Sequence, residues 1–347
     1  MSYTNGLDKP TDYFNTVLYT GNGSTGHAIT GVGFQPDLVW LKCRPQARNH
    51  RWIDVIRGVG KHLESDNTDA EESPADGLTA FGSDGFTVGN TGGYNNSSEN
   101  FVAWNWLAGG SASSNTDGTI TSTVSANQTA GFSIVSYTGT NNNQTVGHGL
   151  GAAPKVIILK NLNTTNNWCV GHGSLGFTKH LALNETDAVG TSSVRFQDTA
   201  PTSTVYSVGA AGETNGSGNS IIAYCFAEKK GFSKFGSYTG NGQNDNAFIY
   251  TGFKPAFIMI KKTDSSDGND NWVMVDNKRL GYNVDNNPLY PNTSGTEVTS
   301  DYIDFLSNGA KIRNGANEVG RSGVVYIYMA FAESPFVTST GIPTTAR

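Results

Sequence analysis

Histidine, cysteine and carboxylate side chains are the groups in this sequence that could catalyse a reaction or bind a metal, but their spacing follows no familiar motif. Neither the Gly-x-Ser-x-Gly motif of serine hydrolases nor the His-Glu-x-x-His helix of metalloproteases occurs in the 347 residues. The three cysteines, Cys43, Cys169 and Cys225, are too few and too scattered for a disulfide framework or a zinc site, so we expect them to be buried. We therefore predict no catalytic residue, no metal site and no cofactor, and we classify the protein as a non-enzyme.

Two loops resemble ligand-binding motifs. The stretch Gly21–Gly26 matches the Gly-x-Gly-x-x-Gly pattern of dinucleotide-binding proteins, but residues 27–33 are typical of a strand and turn, whereas the motif requires a helix there. We interpret this stretch as a hairpin turn. The acidic stretch Asp264–Asn271 has the oxygen-rich composition of a calcium loop but lacks the spacing and the terminal Glu of an EF-hand. We interpret it as a solvated acidic loop.

A threefold internal repeat is the strongest pattern in the sequence. The tripeptide Tyr-Thr-Gly occurs three times, a proline follows each tyrosine after seventeen residues, and a lysine follows each proline after six. A tryptophan comes next in every copy, and an aromatic strand closes each copy. We expect these residues to anchor the core of each copy. The anchors are Tyr19, Pro36, Trp52 and Trp106 in the first copy, Tyr137, Pro154, Trp168 and Phe226 in the second, and Tyr238, Pro255, Trp272 and Phe331 in the third.

The elements between these anchors are strands and turns. The apolar runs 38–41, 156–159 and 257–260 are too short for helices and lack alternation, which predicts strands buried on both faces. The stretches Phe81–Val88 and Phe305–Ile312 contain Asp-Gly and Asn-Gly, which are strong hairpin signals. The second copy has lost this turn.

The loop after each lysine differs in charge among the three copies. Because exposed loops carry recognition more often than the scaffold does, we hypothesise that these loops contact different neighbours; drift of exposed residues is the alternative. The candidate interaction residues are Arg44, Arg48, His50 and Arg51 in the basic loop, Asn163 and Asn166 in the neutral loop, and Asp264, Asp267 and Asp270 in the acidic loop.

Composition agrees with an all-β protein. Charged residues make up only 15% of the chain, whereas 43 glycines and 37 aromatic residues supply turns and cores. We predict three tandem antiparallel β-sandwich domains, jelly-roll-like and related by internal repeat. The boundaries are 1–108 for the first domain, 109–130 for a Ser/Thr/Asn-rich linker that adds an edge strand, 131–230 and 231–336 for the second and third domains, and 337–347 for a polar tail.

The charge and hydropathy of the chain exclude two classes of partner. The formal charge of −6 argues against a nucleic-acid partner. No stretch approaches the length of a membrane span and no signal peptide is visible, so we expect no membrane partner and synthesis in a cytoplasm.

Four stretches resemble a protein family that is widespread in marine tailed bacteriophages. They are Gly31–Trp40, Ala130–Val135, Ala223–Glu228 and Gly231–Gly240. The resemblance extends over nearly all of the chain, and this family offers no established catalytic residues to carry over. It implies a structural virion protein, a tail fibre or receptor-binding component, made in the host cytoplasm. The implied partners are other virion proteins, further copies of the chain (a trimer by analogy), and a glycan or protein of the host surface.

Two other functions remain open. One is a capsid or tail decoration protein that makes no receptor contact. The other is a glycan-binding or glycan-degrading tail-spike module. Degradation would require two carboxylates across a cleft, and the sequence offers no pair that recurs. Binding would require exposed aromatic platforms, for which Trp52, Trp168 and Trp272 are the candidates, although core packing is the favoured role for all three.

Overall fold

Antiparallel strands make up most of the protein. The computed structural model describes residues 6–264, 270–279, 283 and 286–344, and it is 42% strand and 5% helix. We refer to residues 1–108, 131–230 and 231–336 as the first, second and third segments. No helix in the described part of the chain is long and apolar enough to cross a membrane.

The strands follow one another with short connections. The first segment contains β1 (Phe14–Thr20), β2 (His27–Thr30), β3 (Leu38–Cys43), β4 (Arg51–Asp54), β5 (Leu63–Glu64), β6 (Leu78–Gly82), β7 (Gly85–Val88) and β8 (Asn100–Trp106). Residues 109–130 and the second segment contain β9 (Ser113–Asn115), β10 (Ser122–Asn127), β11 (Phe132–Thr138), β12 (Gln144–Gly147), β13 (Val156–Asn161), β14 (Cys169–His172), β15 (Lys179–Ala182), β16 (Gly190–Thr191), β17 (Val205–Val208) and β18 (Ser220–Phe226). The third segment contains β19 (Ser233–Thr239), β20 (Phe248–Tyr250), β21 (Phe253–Lys262), β22 (Val273–Asp276), β23 (Ile303–Leu306), β24 (Gly309–Ile312) and β25 (Val325–Pro335).

The helices are single turns. They are a 3₁₀ turn at Pro10–Asp12, α1 at Gly92–Asn95, α2 at Ser193–Phe196 and α3 at Gly212–Asn215. The helix α2 lies where the second segment lacks the hairpin turn of the other two segments, in agreement with the turn that the sequence has lost there.

Each segment contains a main sheet and a smaller sheet. The main sheets have the strand orders β1-β8-β3-β4-β5, β11-β18-β13-β14-β15-β16 and β19-β25-β21-β22, and in each one the closing strand lies between the first strand and the apolar strand. The smaller sheets are β2-β7-β6, β12-β17 and β20-β24-β23. One apolar cluster in each segment joins residues of the two sheets, so each segment is a sandwich with an interior of its own.

A fourth apolar cluster contains residues of all three segments. Side chains alternate along a strand, so one face of each main sheet packs against its own smaller sheet and the other contributes to this shared cluster. Trp106, Phe226 and Phe331 meet there, with ring centroids 6.4 Å apart for Trp106–Phe226, 5.6 Å for Trp106–Phe331 and 5.9 Å for Phe226–Phe331. The apolar strands β3 and β13 are buried at every residue, as predicted, because both of their faces are covered.

Residues 109–130 are part of the second main sheet. The strand β10 pairs with β11, and β9 pairs with β10, so the stretch predicted as a linker extends this sheet by two strands.

The stretch Gly21–Gly26 is not a hairpin turn, contrary to the prediction. The strand before it, β1, pairs with β8, and the strand after it, β2, pairs with β7 in the smaller sheet. The loop therefore connects two sheets. It wraps around the buried Asn95, whose side chain accepts a hydrogen bond from the Asn22 backbone N–H at 2.8 Å and donates one to the Ser24 carbonyl at 2.8 Å. Sequence alternation could not reveal this change of sheet.

Both predicted hairpins are present, although their turns fall one residue earlier than the Asp-Gly and Asn-Gly signals indicate. Gly82 pairs with Gly85, and Leu306 pairs with Gly309, so the two glycines are strand residues. A Cβ on Gly85 would lie 2.0 Å from the carbonyl oxygen of Ile29 in the adjacent strand. This glycine is required by the close approach of a neighbouring backbone.

Candidate functional site

The predicted interaction loops lie at the contacts between segments, next to three buried lysines. Lys42, Lys160 and Lys261 are fully buried in the apolar strands. Each ammonium donates to a backbone carbonyl of a neighbouring segment. The acceptors are Ser294 for Lys42 at 3.2 Å, Thr68 for Lys160 at 2.8 Å and Thr186 for Lys261 at 2.9 Å. The contacts are cyclic, because the first segment reaches the third, the second reaches the first and the third reaches the second.

Burial changes the protonation of these lysines. Removal from water disfavours the charged ammonium, which lowers the pKa of each of the three lysines to about 8. The carbonyl oxygens around each ammonium compensate part of this cost by accepting hydrogen bonds. Each of the three lysines therefore joins its own segment to a neighbouring one.

Backbone hydrogen bonds join the same three pairs of segments, with donor and acceptor segments exchanged relative to the lysine contacts. The N–H of Glu71 donates to the Leu162 carbonyl at 2.9 Å, the N–H of Val189 to the Thr263 carbonyl at 3.0 Å, and the N–H of Glu297 to the Arg44 carbonyl at 2.9 Å. We call these three contact regions the seams.

A tryptophan donates a hydrogen bond across two of the three seams. At the third seam, between the first and third segments, a histidine lies at the matching position. The indole N–H of Trp168 donates to the Glu64 carbonyl at 2.8 Å, and that of Trp272 donates to the Ala182 carbonyl at 2.9 Å. The backbone N–H of His50 bonds to a side-chain oxygen sixteen residues later, as that of Trp168 does. His50 is therefore the counterpart of Trp168, and burial lowers its pKa well below the usual value.

Trp52 does not occupy the position of Trp168 and Trp272, which corrects the sequence alignment of the three tryptophans. It pairs with Trp40 inside the first main sheet and contacts the ring of Trp168 at 5.2 Å in the shared cluster. All three tryptophans are buried. They therefore pack in the core and are not available as platforms for a glycan.

The basic loop makes its ion pairs within the chain. The guanidinium of Arg44 forms two 2.8 Å hydrogen bonds to Glu297 of the third segment, which raise the pKa of Arg44. Arg48 forms two 3.0 Å hydrogen bonds to Glu99. The remaining cation, Arg51, lies 3.3 Å from a carboxylate oxygen of Glu64.

The neutral and acidic loops also contact their own chain. The N–H of Asn166 donates to the Thr68 carbonyl at 3.0 Å, and Asn163 accepts from the Ser220 N–H at 2.6 Å. Asp270 is buried, with a carboxylate oxygen 2.9 Å from the ammonium of Lys262. Asp264 lies 3.3 Å from the same ammonium. The ammonium of Lys262 therefore contacts two carboxylates of the acidic loop, and Asp270 is not solvated as predicted, because it pairs with that buried lysine. Asp267 lies outside the described residues.

The remaining repeat anchors have structural contacts. The three prolines are buried. The hydroxyl of Tyr19 donates to the Tyr94 carbonyl at 2.5 Å, that of Tyr238 donates to the Val319 carbonyl at 2.6 Å, and that of Tyr137 donates to the Thr214 carbonyl. Each tyrosine thus joins the first strand of its main sheet to the connection before the closing strand, which contains α1 in the first segment and α3 in the second. The three cysteines are free and buried, as predicted.

The exposed surface contains a cleft that sequence reasoning missed. A cavity of about 210 Å³ where the second and third segments join is lined by Tyr250, Glu228, Lys234 and Phe336, among others. The Tyr250 ring is 62% exposed, the largest exposed fraction among the aromatic side chains that the structure describes as exposed. Glu228 and Lys234 form an ion pair at 2.8 Å beside it. The exposure of Tyr250 follows from alternation in β20, where Ile249 is buried and its two neighbours are not.

The family model described as "Domain of unknown function (DUF7483)" matches residues 9–335, which is nearly the whole chain. The chain belongs to this family. No curated protein and no solved structure matches the sequence.

The geometry of this DUF7483 protein separates two kinds of residue. The charged and aromatic residues at the seams have partners inside the chain, so their chemistry is structural. The cleft around Tyr250 combines an open aromatic face with the carboxylate of Glu228 and the two lysines Lys230 and Lys234, which suits the apolar face and the hydroxyl groups of a sugar ring. A second concavity, of about 470 Å³, has a polar lining that includes Ser113, Asn115 and Asp117 of residues 109–130.

Proposed function

We propose that the protein is a structural component of a bacteriophage virion, a tail fibre or receptor-binding protein. One observation carries the proposal: three β-sandwich segments bury one face of each main sheet in a shared aromatic cluster around Trp106, Phe226 and Phe331. A core shared by three segments, with short connections between the strands, makes a rigid scaffold. A virion component that projects into solvent requires such rigidity. The sequence resemblance to phage proteins supplies the biological setting.

We also propose that the three segments are copies of one unit. The shared Tyr-Pro-Lys spacing, the common position of the closing strand and the cyclic order of the three lysine contacts support this. On this proposal one chain contains the packing that a homotrimeric fibre obtains from three chains. We therefore expect a monomer in solution, and light scattering coupled to size exclusion tests it. A mass of three chains would instead support the trimer expected by analogy.

Immunogold labelling of purified particles tests the virion assignment. We expect antibodies against the purified protein to label the tail or its appendages on phage particles that encode this chain. Label on the head would overturn the tail assignment in favour of a decoration protein. Particles from which the protein is absent, by labelling and by mass spectrometry, would overturn the structural role altogether.

Glycan binding at the Tyr250 cleft is a second candidate, favoured by the exposure of that ring beside Glu228 and Lys234. Binding of host polysaccharide to wild-type protein should be lost in Tyr250→Ala. Phe248→Ala is the matched control, because Phe248 is exposed on the same strand but does not line the cleft. Equal binding by both variants would exclude the cleft, and release of oligosaccharides would instead indicate a degrading enzyme.

A further inference from the structure

A histidine and two glutamates lie together at the edge of the first main sheet. His62 and Glu64 are two residues apart, so their side chains point to the same face of the strand. Glu72 lies directly opposite His62 in an antiparallel bridge, in which the two backbones exchange hydrogen bonds of 2.9 and 3.0 Å. Directly opposed residues share a face. The backbone therefore brings the three side chains together.

The distances within this trio match those between metal ligands. The Nε2 atom of His62 lies 3.4 Å from a carboxylate oxygen of Glu64 and 3.5 Å from one of Glu72. Nitrogen and oxygen ligands at the usual zinc distances are separated by about 3.3–3.6 Å in a tetrahedral site. One ligand atom from each residue lies within 4.8 Å of the others.

The His62 ring is buried beside both carboxylates. Its side chain is 3% exposed, its Nε2 atom faces oxygens of Glu64 and Glu72, and its Nδ1 atom makes no hydrogen bond to the described residues. The distances from Nε2 to the two oxygens are longer than those of a strong hydrogen bond, so a metal at Nε2 would replace two weak contacts by direct bonds to all three side chains.

The Glu64 carboxylate is held in the orientation that a ligand needs. Its Oε2 atom accepts hydrogen bonds from the side-chain amides of Asn67, at 2.7 Å, and Asn49. The Oε1 atom faces His62 and the guanidinium of Arg51. Such outer contacts orient the ligating oxygen in metal sites. The Glu72 side chain is 54% exposed and leaves a route from solvent.

The strand pairing itself forms without these carboxylates in the second segment. In the second segment the matching pair is His180 opposite Gly190, and the position two residues after His180 is Ala182. The strand pairing is the same in both segments, yet both carboxylates are missing from the second. Carboxylates that the matching strand pairing lacks are candidates for function.

We propose that His62, Glu64 and Glu72 bind one divalent transition-metal ion, with Zn²⁺ as the best match. Three protein ligands of nitrogen and oxygen leave a fourth position for water or for a group of a bound molecule. The site is independent of the Tyr250 cleft and of the seam lysines.

Zinc titration of the full chain tests this inference. We expect the wild-type protein to bind one Zn²⁺ in competition with a chromophoric chelator, and Glu72→Gln to bind at least tenfold more weakly. Glu71→Gln is the matched control: it removes the same charge one residue away, from a carboxylate that pairs with Arg57 and Lys61. It should bind zinc as the wild type does. Because Glu72 is largely exposed, its variant should keep the wild-type circular dichroism spectrum.

Two results would overturn the proposal. One is a wild-type protein that does not compete with the chelator for zinc. The other is equal zinc affinity of Glu72→Gln and Glu71→Gln. The affinity would then depend only on the net charge of the protein, or zinc would bind at a different site. An anomalous scattering peak between the three side chains of zinc-soaked crystals would support the site, and a peak confined to other residues would refute it.

Discussion

Truncation of Phe331 should destabilise all three segments together. This side chain lies in the shared cluster, and its ring contacts six other rings from the three segments. They are Phe14, Trp106, Phe226, Phe232, Phe235 and Phe257, at centroid distances of 5.1, 5.6, 5.9, 5.8, 6.0 and 6.3 Å. Truncation of a buried phenylalanine to alanine costs about 3–5 kcal/mol in total, and a ring with many aromatic neighbours loses more than one with few. We therefore expect Phe331→Ala to reach the upper part of that range.

The distribution of that loss distinguishes a shared core from three independent domains. Hydrogen exchange measured by mass spectrometry gives the opening free energy of each closing strand, β8, β18 and β25. In Phe331→Ala we expect faster exchange in all three strands. Phe86→Ala is the control, because Phe86 is buried only in the cluster of the first segment, and its effect should be largest in that segment.

A localised effect would refute this reasoning. If Phe331→Ala accelerated exchange in β25 and left β8 and β18 at wild-type rates, the segments would be independent and the shared cluster would contribute no cooperativity. Urea unfolding followed by circular dichroism gives a second readout, since a single transition should move to lower urea as a whole.

Three further predictions follow from burial. Burial lowers the pKa of His172 to about 4. As the pH falls, this histidine is protonated in the unfolded chain before it is protonated in the folded one, so the free energy of unfolding should fall by up to about 3 kcal/mol between pH 6.5 and 4. Urea titrations over this pH range should show the loss in the wild type, and His172→Gln should lack it. The lowered pKa of Lys160 has the same sign in an alkaline range. The stability of the wild type relative to Lys160→Met, a comparison in which other groups cancel, should rise by up to about 3 kcal/mol between pH 8 and 10.5, and a flat difference would contradict the burial. Gly85→Ala should destabilise by about 1–3 kcal/mol or more in thermal melts because its Cβ meets the Ile29 carbonyl, whereas Gly82→Ala, with 3.6 Å to its nearest neighbour, should be tolerated.

The individual strands were predictable because their signals are local. The apolar runs after Pro36 and Pro154 form β3 and β13, and the aromatic stretches that close each copy form β8, β18 and β25. The hairpin at 81–88 was also predicted, with its turn displaced by one residue. In each case a few neighbouring residues determine the outcome.

The contacts between segments were not predicted, because they depend on residues far apart in the sequence. The apolar runs did contain the relevant signal: a strand buried on both faces needs a second covering layer, and the small sheet of one segment covers only one face. The sequence also aligned Trp52 with Trp168 by residue type, whereas strand pairing makes His50 the counterpart. The buried His62–Glu64–Glu72 trio was missed because its members are joined by a strand bridge and by no motif.

The three seams belong to one polypeptide, and this changes what mutation can achieve. In an assembly of identical subunits every substitution appears at each interface at once, so a change that suits one contact must suit all of them. Here His50 lies at one seam, whereas Trp168 and Trp272 lie at the other two. Likewise, two glutamates accompany His62 but not the matching histidine of the second segment. If the segments are copies of one unit, as proposed, a substitution in this gene changes the contact of one segment while the other two segments keep theirs.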